Sequence, residues 1–339
     1  MQMNESDRRA AARLRWQPGQ RPFYEVFFIK ANLPGRQQAF WLRYTLSAPR
    51  RGRGAGVAQL WGIFFDGREP GRNFAVQQTL PIAELQWLEE EGRLLVGSSA
   101  CSPAACSGSI DDAGRGHRLA WNFTLADDTP PLWHFSHRFL YRLTLPKTKL
   151  ACPVWNGRLR GWLEVDGERL ELDGIPGQLE HLWGTEHALR WAWGHCNAFV
   201  DEADVVWEGL DAQVALGPVP SPHLKVFYLQ VGQQRHRFDK LSQWLRNRSH
   251  WEPFQWEFAA RGPGARLRGR ASCHPDDVVV VTYTDPGGAR LYCHNSKLAD
   301  LELQLEDNAG NPLGTFTARR TAALEFVDRR LHGGLQPRL

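Results

Sequence analysis

Titratable and aromatic side chains crowd into residues 180–202. This stretch holds His181, His187 and His195, Trp183, Trp191 and Trp193, with Glu180, Glu186 and Asn197 among them. Polar groups set among indoles are what a small-molecule pocket uses to orient a ligand. Such groups are also where proton affinities are displaced. Residues two apart on a strand share a face. His181 then points with Trp183, while Trp191, Trp193 and His195 form a second row continued by Asn197 and Phe199. That spacing predicts a cavity wall of indole and imidazole. Its chemistry would be acid–base work by the ring nitrogens and carboxyls, with π-faces toward a cationic or polyene ligand. Blander roles compete at each position. His181 and Trp183 also suit a core ring bonded to the backbone. Glu186 and Arg190, four apart, also suit an ion pair on one helical turn.

Other chemistries find less support. His181, His187 and His195 are spaced 6 and 8 apart, with no H-E-x-x-H motif or paired carboxylates, so no metal is expected. No G-x-S-x-G elbow is present. No phosphate-binding glycine loop follows a strand, so no nucleotide fold and no cofactor are expected. The six cysteines contain no C-x-x-C pair and read as reduced, buried hydrophobes.

Strands must position these residues. FYEVFFIK (23–30), AFWLRYTLS (39–47) and VAQLWGIFF (57–65) are aromatic or β-branched runs bounded by glycine and proline. Leu119, Trp121, Phe123 and Leu125 alternate as a half-buried strand does. RFLYRLTL (138–145) and RLRGWLEV (158–165) look the same. Asp166-Gly167 has the chemistry of a two-residue hairpin turn. Similar runs continue from 191 to 319. Helical patterns are few: 5–15, 82–91 after Pro81, and 239–246. Many short strands without βαβ alternation predict a sandwich or barrel.

The chain has 339 residues, 15 Trp, 17 Phe and only 2 Met, with 32 Gly and 21 Pro. Rings and turns in such numbers fit an all-β protein with large side chains inside. A net charge of +4 with one dense basic cluster, Arg50, Arg51 and Arg53, is too weak a footprint for nucleic acid. No 18-residue apolar run exists for a membrane helix. The first 15 residues carry four arginines but no apolar signal core, so a cytoplasmic location is expected, although they also mimic a transit peptide.

GIPGQLEHLWGTEHALRWAWGHCNAF (174–199), with FYEVFFIKANLPGRQQAFWLRYTL (23–46) and LYCHNSKLADLELQL (291–305), resembles the hydroxyneurosporene synthase (carotenoid hydratase) and tocopherol cyclase group. The likeness runs over roughly 23–320 and implies two lipocalin-like antiparallel β-barrel or sandwich units side by side with few short helices. Lipocalin-like Diels–Alderases are similar in architecture. The expected organisation is an N-terminal extension (1–21), units at 22–170 and 171–330, and a tail (331–339). The resemblance implies cyclase or hydratase chemistry on an isoprenoid or polyene, begun by C=C protonation. It places the family's His and Trp on His181 and Trp183, with Leu182 where many relatives have Asn. It puts the downstream aromatic–acid pair near Trp207, Glu208 and Asp211. The expected catalytic residues are therefore His181, Glu186, Glu208 and Asp211. The expected substrate-binding residues are Trp183, Trp191, Trp193, His195, Asn197 and Trp207. The expected partner is a hydrophobic small molecule, taken up through a peripheral membrane contact, with no obligate protein partner. A non-catalytic carrier of a hydrophobic ligand is the alternative, and a protein whose own tryptophans fill the pocket is a third reading.

Overall fold

The computed structural model describes residues 2–217 and 219–339. Two antiparallel sheets carry the chain, one of 12 strands between Phe23 and Gly184 and one of 10 between Arg190 and Asp328. In the first, Phe23–Leu33 is flanked by Gln38–Ala48 on one side and by Glu168–Gly184 on the other. The far strand Phe74–Pro81 approaches Ala105–Asp112 and His117–Ala126, curling this sheet into a nearly closed barrel. The second sheet centres on Arg190–Cys196, paired with Val205–Gln213 and Pro312–Asp328. Two α-helices occur among the described residues, Gln2–Ala12 and Leu241–Arg246. The chain has the all-β, lipocalin-like architecture expected of it.

Each sheet wraps its own core, and the two sheets share a third. Phe40, Tyr44, Phe64 and Trp121 fill the first barrel. Trp207, Phe227, Trp256 and Phe258 fill the second unit. A further cluster joins Tyr24, Val26, Phe28 and Trp41 of the first sheet to Trp193, Tyr283 and Val327 of the second. The strand Phe23–Leu33 is consequently buried along its whole length. Phe23, Phe27 and Ile29 face into the barrel, and Tyr24, Val26 and Phe28 face the other sheet. A strand covered on both sides reads as an unbroken apolar run, which is how 23–30 appears in the sequence.

The Asp166-Gly167 turn forms as its chemistry predicts, with φ of 50° and 87° joining Val165 to Glu168. Both central residues of such a turn need positive φ. Two local expectations fail. Residues 82–91 are not a helix: a short 3-10 turn (Ile82–Glu84) leads into Leu85–Leu88, which pairs with Arg93–Val96. Gly92, at φ 58° in the connecting turn, makes this a hairpin despite the threefold spacing of Ile82, Leu85 and Leu88. Residues 138–145 are not a strand either. Arg138–Tyr141 is a 3-10 turn, and Phe139, Leu143 and Leu145 stand exposed with no strand to cover them. The N-terminal helix ends at Ala12 rather than at residue 15. The strand Glu168–Gly184, within which a division after residue 170 would fall, lies wholly in the first sheet; the chain crosses between sheets at 185–189.

Candidate active site

The concave feature of interest is a partly open cavity of about 120 Å³ between the two sheets. Its volume is near that of an engineered cavity of about 150 Å³ that holds benzene, so it covers roughly five or six carbons of a ligand, and its open side leaves room for a longer chain. Alternation decides which side chains reach it. Tyr24, Val26 and Phe28 come from one strand, Trp191 and Trp193 from another, and Glu180 and Leu182 from a third. The lining is overwhelmingly apolar, which makes its few polar groups informative.

Glu180, Glu208 and His134 form a buried cluster at this cavity. His134 follows the short strand Leu132–Trp133, and its Nε2 lies 2.7 Å from Glu208 Oε1 and 3.6 Å from Glu180 Oε1. Glu208 also accepts from Trp193 Nε1 at 3.1 Å and from Gln178 Nε2 at 3.4 Å. Glu180 Oε2 accepts from Gln178 Nε2 at 2.8 Å, while Glu180 Oε1 has no hydrogen-bond partner. Burial, and next the neighbouring Glu208, push the Glu180 carboxyl well above its usual range. Both effects disfavour the anion and favour the protonated carboxyl. His134 Nδ1 is also unpartnered.

A second polar region lies near His187. Its ring stacks on Tyr24 at 3.8 Å and its Nδ1 lies 3.3 Å from Asp285 Oδ2. Burial, opposed by Asp285, lowers its proton affinity. Arg43 lines the same cavity with its guanidinium 4.3 Å from the centre of the Tyr283 ring.

The expected site residues divide between this cavity and other places. Trp191 and Trp193 line the cavity, and Glu208 stands behind His134. His181 does not reach it. Its Nε2 donates to Glu25 at 2.8 Å and its Nδ1 lies 2.7 Å from Ala11 O, with its ring on Phe27. Glu25 in turn accepts from Arg15 N and Trp16 N, so His181 fastens the N-terminal segment to the barrel. Trp183 shares that face and lies under Arg15 at 4.9 Å. Glu186 pairs with Lys147, not with Arg190, which lies over Trp251. No helical turn forms at 185–189 to bring Glu186 and Arg190 together. Asp211 accepts from His223 Nδ1 at 2.6 Å and Trp207 stacks on Phe258 at 5.1 Å, both on the opposite face of their strand from Glu208. His195 continues the Trp191–Trp193 row below the cavity. Burial and the Lys30 charge keep it neutral, with Nε2 donating to Trp155 O at 2.9 Å. Asn197 holds Lys30 Nζ at 3.1 Å and donates to Gly177 O at 2.9 Å.

His181, His187 and His195 thus go to three different places. A cation, if any, would find its ligands elsewhere: His134, Glu180 and Glu208 offer atoms within 4.8 Å of one another. The His134–Glu208 hydrogen bond, however, occupies the Nε2 that a cation would need. Reading the sequence misses Glu180, His134 and Arg43 as site residues. Glu180 sits inside the crowded 180–202 stretch, so its signal was present. The isolated His134 and Arg43 carry none.

Known proteins resemble this chain over most of its length. The sequence model of the family described as tocopherol cyclase-like matches residues 97–326. An uncharacterized protein of Mycobacterium tuberculosis is 26% identical over 320 residues, covering 92% of this chain and 89% of its own. The chloroplastic tocopherol cyclase of Zea mays is 28% identical over 229 residues, covering 53% of this chain and 47% of the maize enzyme. Among solved structures, CghA shares the fold with a TM-score of 0.54 at 9% identity, covering 93% of this chain and 90% of its own.

Proposed function

Because the chain belongs to the tocopherol cyclase-like family, we propose that it is a cyclase or hydratase in which Glu180 protonates a C=C bond of a prenyl-type substrate. The observation that carries this is Glu180 itself: a buried carboxyl whose protonated form is favoured, with Oε1 unpartnered at the wall of an apolar cavity. The carboxyl proton goes to the less substituted alkene carbon, and the π electrons form the new C–H bond. This leaves a tertiary cation and the Glu180 carboxylate. Trp191 and Trp193 present π-density to that cation. Dry walls keep the donor acidic only toward what enters. An oxygen nucleophile, either water or a hydroxyl of the substrate, then bonds to the cation. Its proton passes to His134 Nδ1, backed by Glu208, or returns to Glu180. Water gives an added hydroxyl, and an internal hydroxyl gives a ring.

The experiment compares wild type with Glu180→Gln, each purified natively, extracted with organic solvent and analysed by mass spectrometry. Wild type should yield a molecule either isomeric with, or one water heavier than, the alkene retained by the variant. Assayed on that alkene, the variant should be about 10²–10⁴-fold slower, the usual worth of a positioned acid. Turnover at the wild-type rate by Glu180→Gln would remove the acid from this reading. One unchanged molecule from both proteins would make the protein a carrier.

A further inference from the structure

Arg43 is a buried charge without a polar partner. It is 6% exposed, its Nε and Nη1 lack hydrogen-bond partners, and it makes no ion pair among the described residues. Tyr283, Trp61 and Trp41 pack around its guanidinium at 4.3, 5.4 and 5.9 Å. Aromatic rings satisfy the faces of a guanidinium but not the N–H groups on its edge. The carboxylates nearby are engaged otherwise. Asp285 accepts from His187 N at 2.8 Å and Gly287 N at 2.9 Å. Glu325 accepts from Lys297 Nζ at 2.9 Å and Asn295 Nδ2 at 3.1 Å. A buried, unpaired charge is strongly unfavourable, and the edge N–H fork matches a carboxylate in a bidentate pair.

We propose that Arg43 receives a carboxylate on the substrate, making the ligand a prenyl-type acid rather than a plain hydrocarbon. This rests on the reading of Glu180 as proton donor for the position of the reacting bond. Register sets the geometry. Phe28 pairs with Arg43 on one side and with Glu180 on the other. All three side chains therefore stand on one sheet face, with Arg43 and Glu180 two strand spacings apart. That separation is about 10 Å between Cα atoms. A carboxylate at Arg43 places a C=C several bonds along the chain beside Glu180, with Phe28 beneath the intervening carbons. The acid is thereby held away from the cation formed at the far end.

Tryptophan fluorescence reports binding, since Trp41, Trp191 and Trp193 line the cavity. The probes are geranic acid and geraniol, the same ten-carbon chain with and without the carboxylate. Wild type should bind the acid at least tenfold more tightly at pH 7.5. Arg43→Gln should bring the two affinities together, and Arg43→Lys should restore part of the preference. Equal binding by wild type would overturn the proposal without use of any variant. So would a preference that survives in a folded Arg43→Gln protein. Glu180→Gln should keep the full preference, so the carboxylate site and the proton donor stand or fall separately.

Discussion

Glu180 lies where acid chemistry and stability pull in opposite directions. A carboxyl whose folded-state pKa is raised favours the fold only while protonated. That contribution is complete below the unfolded value of about 4.3 and is lost as pH climbs through the folded value. Burial and Glu208 both raise Glu180, so the native state should weaken over the pH range above the ordinary carboxylate value. Glu180→Gln keeps an acceptor for Gln178 Nε2 and carries no charge. It should therefore melt at a higher temperature than wild type at pH 8, with the two converging toward pH 4. Thermal unfolding followed across that range checks this; a variant less stable than wild type at every pH would contradict it. The position was half legible in the sequence. The 180–202 stretch stands out in composition, but the family's His and Trp fall on His181 and Trp183, which turn the other way.

The error at the level of the strand is one of parity. A strand's side chains alternate between faces, so a reading displaced by one residue puts every side chain on the wrong side. Along Glu168–Gly184, His181 and Trp183 enter the barrel, whereas Glu180 and Leu182 enter the cavity. Both faces are buried, so hydrophobicity alone gives no means of choosing between them. The sequence shows the strand but not which face meets the second sheet. Trp191 and Trp193, which alternate with the small Ala192 and Gly194, line the cavity. The two faces should respond differently to substitution. Leu182→Trp should fill the cavity and reduce geranic acid binding more than tenfold, with little change in melting temperature. Trp183→Ala should destabilise by about 3–5 kcal/mol, as loss of a buried indole does, while folded protein still binds. Titrations paired with denaturant unfolding of the two variants distinguish the faces. Equal effects on binding would refute the assignment.

For the molecule as a whole, the proposed function requires an apolar substrate to reach a cavity between the two sheets. No helix among the described residues is long and apolar enough to cross a membrane. The cavity wall, though, includes Phe135 and Pro146 at either end of the 136–145 segment, and Trp244 of the helix Leu241–Arg246. These same two segments expose Phe139, Leu143, Leu145, Leu241 and Leu245. Were substrate to come from a membrane, these apolar side chains, on segments that also wall the cavity, would be the ones to touch the lipid surface. Arg142, Lys240 and Arg246, interleaved with them in sequence, would add attraction to anionic headgroups. No strand forms at 138–145, because alternating apolar residues also describe a segment that turns its hydrophobes outward. Phe139→Ser, Leu145→Ser and Leu245→Ser together should lower sedimentation with phosphatidylglycerol-containing vesicles about tenfold, since each exposed apolar side chain loses insertion energy. Fold and binding of dispersed geranic acid should be retained, because none of the three lines the cavity. Wild-type protein that stays in the supernatant with such vesicles would mean that substrate comes to this cavity from solution or from another protein. The carboxylate site at Arg43 would then be its principal means of capture.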